Sequence, residues 1–347
     1  MDSMQSGIDI LRPGTGVRGR KGISGSTIKI IAVIAMLIDH IAAVVLIRQF
    51  MAEGYMAAVG GGEGQFLAWI GENSLLYYGN LVMRMIGRLG FPLFCFLLVE
   101  GAQRSRNLRK YAIRLIIFAL VSEIPFDLAT TGKVWNSGYQ NVYFTLLFGL
   151  LTICTYQFFA ACEQREEKND LPGGLRMLFI VTGAATLEVL AMTLVQLFFG
   201  ALGEGALQTL FSLVFLASGP LGLVLYGKRK GMRRLQTLCA DLTVLALFML
   251  AAEFLRTDYG GMGVLTVSVM YLYRRNRVKS MLAGCVVLTL MSASELPAFL
   301  AILPVALYNG TRGLKMKYFF YVFYPLHLGL LYLLAVLLGL GGIILIY

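Results

Sequence analysis

Residues 28–46, IKIIAVIAMLIDHIAAVVL, hold only three positions that are not apolar: Lys29, Asp39 and His40. A run of this length matches the roughly 20 residues that a helix needs to cross a bilayer core. It is too long for a signal-peptide core and is followed by no small-residue cleavage pattern. Ahead of it, residues 1–26 are polar and carry Arg12, Arg18, Arg20 and Lys21. The run therefore reads as an uncleaved first span with a cytoplasmic N-terminus, since cationic flanks stay inside.

The same pattern recurs along the chain. Apolar stretches fall near 82–102, 111–130, 141–162, 175–200, 206–226, 236–255, 260–274, 280–294, 296–309 and 318–345. With 58% hydrophobic and 14% charged residues, a soluble two-domain protein is excluded. The expected fold is all-α, a polytopic integral membrane helical bundle of about eleven transmembrane helices. Residues 1–26 form a cytoplasmic polar segment and 27–345 a single membrane domain. Pro297 and Pro304 leave open whether 280–309 is two spans or a re-entrant pair.

The net charge of +11 reports topology before it reports a partner. Cationic clusters sit in every second loop: Arg104–Arg114, Glu163–Arg176, Lys228–Arg234, Arg274–Lys279 and Arg312–Lys317. The intervening loops, including Gly203–Gly205, hold few cations. This parity puts the protein in the cytoplasmic (inner) membrane with the bilayer as a partner and without nucleic acid. Residues 51–81 are too polar and Gly-rich to cross, but Phe66, Leu67, Trp69 and Ile70 give an apolar face suited to an outer lid. The five cysteines have no paired spacing, and nothing in the chain suggests a metal site.

His40 and His327 are the only histidines, and both fall within expected spans, where an ionisable group is expensive unless it works or is paired. The plainer role for each is a neutral ring hydrogen-bonding between helices. Lys29 precedes His40 by eleven positions, about three helical turns, so the two share a face roughly 16 Å apart. Asp39 points about 100° away from His40 and needs a cation from another helix, Arg84, Arg88 or Arg114. Glu100, Glu123 and Asp127 are candidates to orient the His40 ring. The cluster Arg104, Arg106, Arg109, Lys110 and Arg114 suits phosphate groups.

Six strings in order resemble the TraX family of membrane proteins associated with N-terminal acetylation of pilin subunits. They are IKIIAVIAMLIDHI (28–41), GRLGFPLFCFLLVEGAQRSRN (87–107), YAIRLIIFALVSEIPFDLA (111–129), QNVYFTLLFGLL (140–151), DYGGMGVLTVSVMYL (258–272) and LYNGTRGLKMKYFFYVFYPLHL (307–328). Residues 163–250 look like an enlargement of that pattern. Lys29 and His40, a basic residue and a histidine separated by ten positions, are also similar to a first-helix motif of the wider transmembrane acyltransferase superfamily, which usually has arginine where Lys29 stands.

The resemblance implies transfer of an acetyl group from acetyl-CoA to a pilin-like protein, a peptide or a glycan. Its expected catalytic set is His40, Asp39, His327, Glu123 and Tyr324. His40 would act as base or carry the acetyl group briefly. Lys29, Arg88, Arg104, Arg106, Arg109, Lys110 and Arg114 are expected to hold the CoA phosphates. The alternative expectation is a proton-coupled transporter that uses the same intramembrane acids and histidines.

Overall fold

A computed structural model of the chain describes residues 21–164, 173–199, 206–314 and 317–343. Residues 1–20 of the expected polar segment lie outside the described residues, as do 165–172 of the loop at 163–176, the turn Gly203–Gly205 and residues 344–345. The described chain is helical, with no strand among the described residues. Its only sheet-like features there are two isolated bridge pairs, Ile23 with Tyr308 and Gln140 with Thr257.

The first expected span is a helix, α1 (Gly25–Ile41), opened by Ser24, whose hydroxyl accepts from the Thr27 N–H. A π-helical turn (Ala42–Leu46) and α2 (Ile47–Ala52) continue it. The stretch after it forms α3 (Tyr55–Gly60) and α4 (Glu63–Glu72). The second apolar element starts at Ser74, earlier than the 82 expected, as α5 (Ser74–Gly87), and runs on into α6 (Gly90–Arg104). Its extra turns were hidden by Tyr77, Tyr78 and Asn80, which dilute the apolar signal. Asn80 is buried and satisfied by donating to the Ala42 carbonyl at 3.2 Å.

Then come α7 (Leu108–Thr131), α8 (Val142–Gln164), α9 (Gly173–Phe199), α10 (Ala206–Lys230), α11 (Met232–Phe254) and α12 (Gly260–Leu272). The stretch at 280–309 is α13 (Arg277–Met291), a 3₁₀ helix (Ala293–Ala301) holding Pro297, and α14 (Ile302–Ala306). The last helix is α15 (Lys317–Leu337), with Pro325 inside it. Five segments are long and apolar enough to cross a membrane by length and composition: Gly25–Ala52, Ser74–Arg104, Val142–Gln164, Met232–Phe254 and Phe319–Leu337. Leu120, Leu250, Leu303 and Leu333 are more than half exposed, a pattern that fits an apolar solvent.

Two ends organise the bundle. At one, Ile23 N–H donates to Leu307 O at 2.9 Å and Leu314 N–H to the Ser26 hydroxyl at 3.0 Å. At the other, Arg48 Nε donates to Ile343 O at 3.2 Å. So α1 and α15, the first and last helices, lie side by side and run the same way. One large core joins residues of α1, α6, α7, α8, α12, α13 and α15. The pair α9 and α10 packs on α11 through a separate small core around Leu223, Leu235 and Cys239.

Arg48 is fully buried and donates to four carbonyls, those of Val44, Leu128, Ala129 and Ile343. It ties the end of α7 to the segment that follows α15, supplying donors to carbonyls left free at a helix end. At the same end, Asp258 N–H donates to Gln140 O at 2.9 Å, and the Tyr139 hydroxyl donates to Asp258 Oδ1 at 2.8 Å. Burial lifts the carboxyl of this loop residue to about 6, against the Tyr139 bond that pulls it down.

Replacing Arg48 with Met should cost about 2–4 kcal/mol, because the carbonyls it holds lose their donor in a dry place. Thermal unfolding in detergent micelles reads this, and Arg48→Lys should recover only part, having no planar fork. The raised Asp258 carboxyl means the folded protein holds a proton that the unfolded chain releases. Stability should therefore fall as the pH rises through about 6. Asp258→Asn, which keeps the acceptor for Tyr139, should flatten the change in melting temperature between about pH 5 and pH 7; an unchanged slope would refute the assignment.

Candidate functional site

His40 sits in the last turn of α1, immediately before the π turn. Such turns carry one extra residue and cluster at functional sites. Here the extra residue leaves the Ala42 carbonyl to accept from the Ile47 N–H and from Asn80. His327 lies in α15 two positions after Pro325. Proline has no N–H to give the carbonyl one turn back, that of Tyr321. The Tyr143 hydroxyl donates to that oxygen instead, at 3.4 Å.

The two histidines meet. His40 Nδ1 and His327 Nε2 are 2.6 Å apart, with ring centroids 4.9 Å apart and planes within 10°. His327 Nδ1 is 2.7 Å from the Phe323 carbonyl. A carbonyl only accepts, so His327 Nδ1 carries the hydrogen and leaves its Nε2 lone pair for the His40 Nδ1–H. The network thus assigns the tautomer of both neutral rings and leaves His40 Nε2 as the free base. His327 is buried, whereas His40 is only half-buried. Tyr324 packs edge-on to both rings, with centroids 6.0 Å from His40 and 5.7 Å from His327.

The ring that orients His40 is therefore His327. None of the three carboxylates expected for that task plays it. Glu100 bridges Arg104 at 2.6 Å and Arg277 at 3.3 Å. Glu123 is buried and takes a hydrogen bond from the Asn141 side chain. Asp127 accepts from the Asn136 N–H at 2.7 Å. Asp39 does have a cation from another helix, Arg84 Nη1 at 2.6 Å. The approach requires Gly87, because a Cβ there would overlap the Asp39 carboxylate.

A cavity of about 470 Å³ opens at the end of the bundle where α1 begins. Lys29, Arg104, Arg114 and Arg312 line it with the single acid Glu100. Among the described residues no carboxylate pairs with Lys29, Arg114 or Arg312. Such an excess of cations in a partly dry recess gives it a positive potential. Arg106, Arg109 and Lys110 are exposed and outside it. Arg88 is also elsewhere, with its Nε 3.0 Å from the Glu295 carboxylate on the 3₁₀ helix. The expected phosphate set thus divides: Lys29, Arg104 and Arg114 stand together, and the other four do not join them. Arg312 was missed as a site residue because it lies in a loop that only folding returns to α1.

The cavity reaches inward to Tyr143 and stops. Tyr143 packs against Tyr324 at 5.0 Å, and Tyr324 against His40. Two aromatic rings therefore separate the cationic recess from the histidine pair.

Comparison with known proteins places this architecture. The family described as TraX protein matches residues 24–168 and 186–335, so its pattern also covers residues 186–250. A curated relative, "Probable fimbrial assembly protein FimC, serogroup H1" of Dichelobacter nodosus, is 25% identical over 321 residues, covering 89% of this chain and 94% of the relative. No solved structure matches. With the family pattern spanning most of its length, the chain belongs to the TraX family.

Proposed function

We propose that the protein is a membrane-bound acyltransferase of the cytoplasmic membrane. It moves an acetyl group from cytosolic acetyl-CoA to an amine, such as a pilin-like N-terminus, or to a hydroxyl acceptor. The observation that carries this reading is a cationic recess, three of whose cations pair with no carboxylate among the described residues, two aromatic rings from a histidine whose Nε2 is left basic. The relative named for fimbrial assembly supports a pilin-like acceptor. In this reading the Lys29 end faces the cytoplasm. The eleven crossings are α1–α2, α5–α6, each of α7 to α13, the 293–306 segment and α15.

The recess suits the phosphate-bearing part of acetyl-CoA by charge, with the rest of the molecule extending beyond it. A volume of about 470 Å³ lies within the ~300–1,000 Å³ usual for ligand sites, and the cations match its phosphates. Its acyl arm reaches His40 only if Tyr143 and Tyr324 turn aside. The acceptor nitrogen then bonds to the acetyl carbon as the carbon–sulfur bond breaks. His40 Nε2 takes the amine proton and returns it to the departing sulfur, giving an amide and the free thiol. His327 shares the transient charge through the Nδ1–H bond, and Tyr324 offers a hydroxyl for the carbonyl oxygen.

Free thiol released from acetyl-CoA with an amine acceptor should drop about 10²–10⁴-fold in His40→Ala. His327→Gln should keep more activity than His327→Ala, since an amide oxygen still accepts from His40; release that survives His40→Ala would sink the mechanism. For the recess, calorimetry on the protein in nanodiscs should show roughly tenfold weaker CoA binding, about 1.4 kcal/mol, for Lys29→Ala and for Arg312→Ala. Affinity should also fall with added salt. Unchanged affinity in both variants would move the CoA site elsewhere.

A further inference from the structure

A second cavity, of about 270 Å³, lies on the other side of the histidine pair, between α2 and α5. Phe50, Tyr55 and Tyr77 form its walls, and its polar lining is Asn80 and Arg84. Those two side chains bond to α1 on either side of His40: Arg84 to Asp39 at 2.6 Å and Asn80 to the Ala42 carbonyl at 3.2 Å. The floor of this cavity is thus built onto the backbone that carries the histidine. Together with the cationic recess it brackets His40 from opposite ends of α1.

Helices α3 and α4 roof it. Trp69 of α4 packs edge-on to Phe50 at 5.3 Å and to Tyr55 at 5.2 Å, and its Nε1 donates to the Glu53 carbonyl at 2.7 Å. These aromatics form a small core of their own, separate from the main one. Gly54 joins the roof to α2 and Gly62 joins its two helices, at φ of 77° and 87° with open space around both. Through Phe50 of α2 and Tyr77 of α5 this small core anchors the roof on the cavity walls, so Trp69 belongs to the same packed cluster as the walls.

We propose that this cavity is the acceptor subsite and takes the neutral amine end of a peptide, one or two residues deep, headed by an apolar side chain. The proposal rests on the acyltransferase reading and adds where and in what form the acceptor sits. The volume falls below the range of drug-sized ligand sites, so it excludes a second CoA and a folded domain. A sugar ring brings several hydroxyls, and two polar side chains already bonded to α1 leave most of them without partners. A peptide end brings one amine, one carbonyl and an apolar group. Arg84 keeps donors for the carbonyl, Asn80 Oδ1 accepts from the amine, and the aromatic walls take the side chain. No carboxylate lines the cavity, so the amine enters uncharged, which is its nucleophilic form.

The chain has two tryptophans, Trp69 and Trp135. In a Trp135→Phe background the single remaining fluorophore is in the roof. Titration with a dipeptide amide, Ala-Phe-NH₂, without acetyl-CoA, should give a saturable change in Trp69 emission. The change should strengthen from about pH 7 to pH 9 as the amine loses its proton, and Tyr77→Ala should abolish it. In turnover, Tyr77→Ala should raise the peptide KM at least tenfold and leave the acetyl-CoA KM within twofold, which a misfolded variant would not do. A Trp69 response to peptide without any thiol release would overturn the acyltransferase reading and leave the peptide site standing. Thiol release with peptide, a silent Trp69 and an unchanged peptide KM in Tyr77→Ala would overturn the subsite. So would a response to N-acetylglucosamine exceeding that to the dipeptide.

Discussion

The hydrogen bond between His40 and His327 is the constraint on which the arrangement of helices turns. A ring nitrogen stranded in a dry interior costs several kcal/mol, so each ring demands the other. Meeting that demand joins the first and last helices of the chain, 287 positions apart in sequence. It also fixes how α1 is rotated, because residue 39 must then point about 100° away. That direction leads to α5 and Arg84. One pair of imidazoles thus decides which neighbour each face of the first helix receives.

The backbone departures beside that pair follow from the same demand. A regular helix would carry the phase of His40 straight on to residues 47–52. The π turn shifts it, so that Arg48 faces the ends of α7 and α15 while Phe50 faces the α3–α4 roof. In lipid every carbonyl freed by such a shift needs a donor from within the protein. Asn80 supplies one at Ala42, and Tyr143 supplies one below Pro325. The polar residues that interrupt α2 and α5 are therefore local repairs of the irregularities that aim the histidines.

This explains what could be read from the sequence. Apolar runs gave most helices to within a turn or so, and five of the segments are long and apolar enough to cross a membrane. A carboxylate next to a histidine on one helix had to find a cation elsewhere, and Arg84 was among the three named. Pairing of the histidines with each other was not legible: spacing along a helix says nothing about which distant helix stands opposite. A base need not have an acid behind it: here Phe323 O sets the tautomer through a second imidazole. Arg312 escaped because a loop cation looks like a topology marker until the fold brings it beside Lys29.

The charge contrast between the two cavities has a consequence for how a site between them works. The recess at Lys29 has four cations to one acid, and the cavity at Tyr77 has a single arginine already bonded to Asp39. A polyanion would find counter-charge at the first and none to draw it through to the second. Between them stand Tyr143 and Tyr324 on one side and the Asp39–Arg84 bridge on the other. Both barriers are built of side chains bonded or packed against one another, so each cavity approaches the histidine pair from its own end of the first span. In the proposed reaction the nucleotide end of the donor therefore stays at the recess, and only the acetyl group, delivered on its arm past the two tyrosines, goes on to the acceptor.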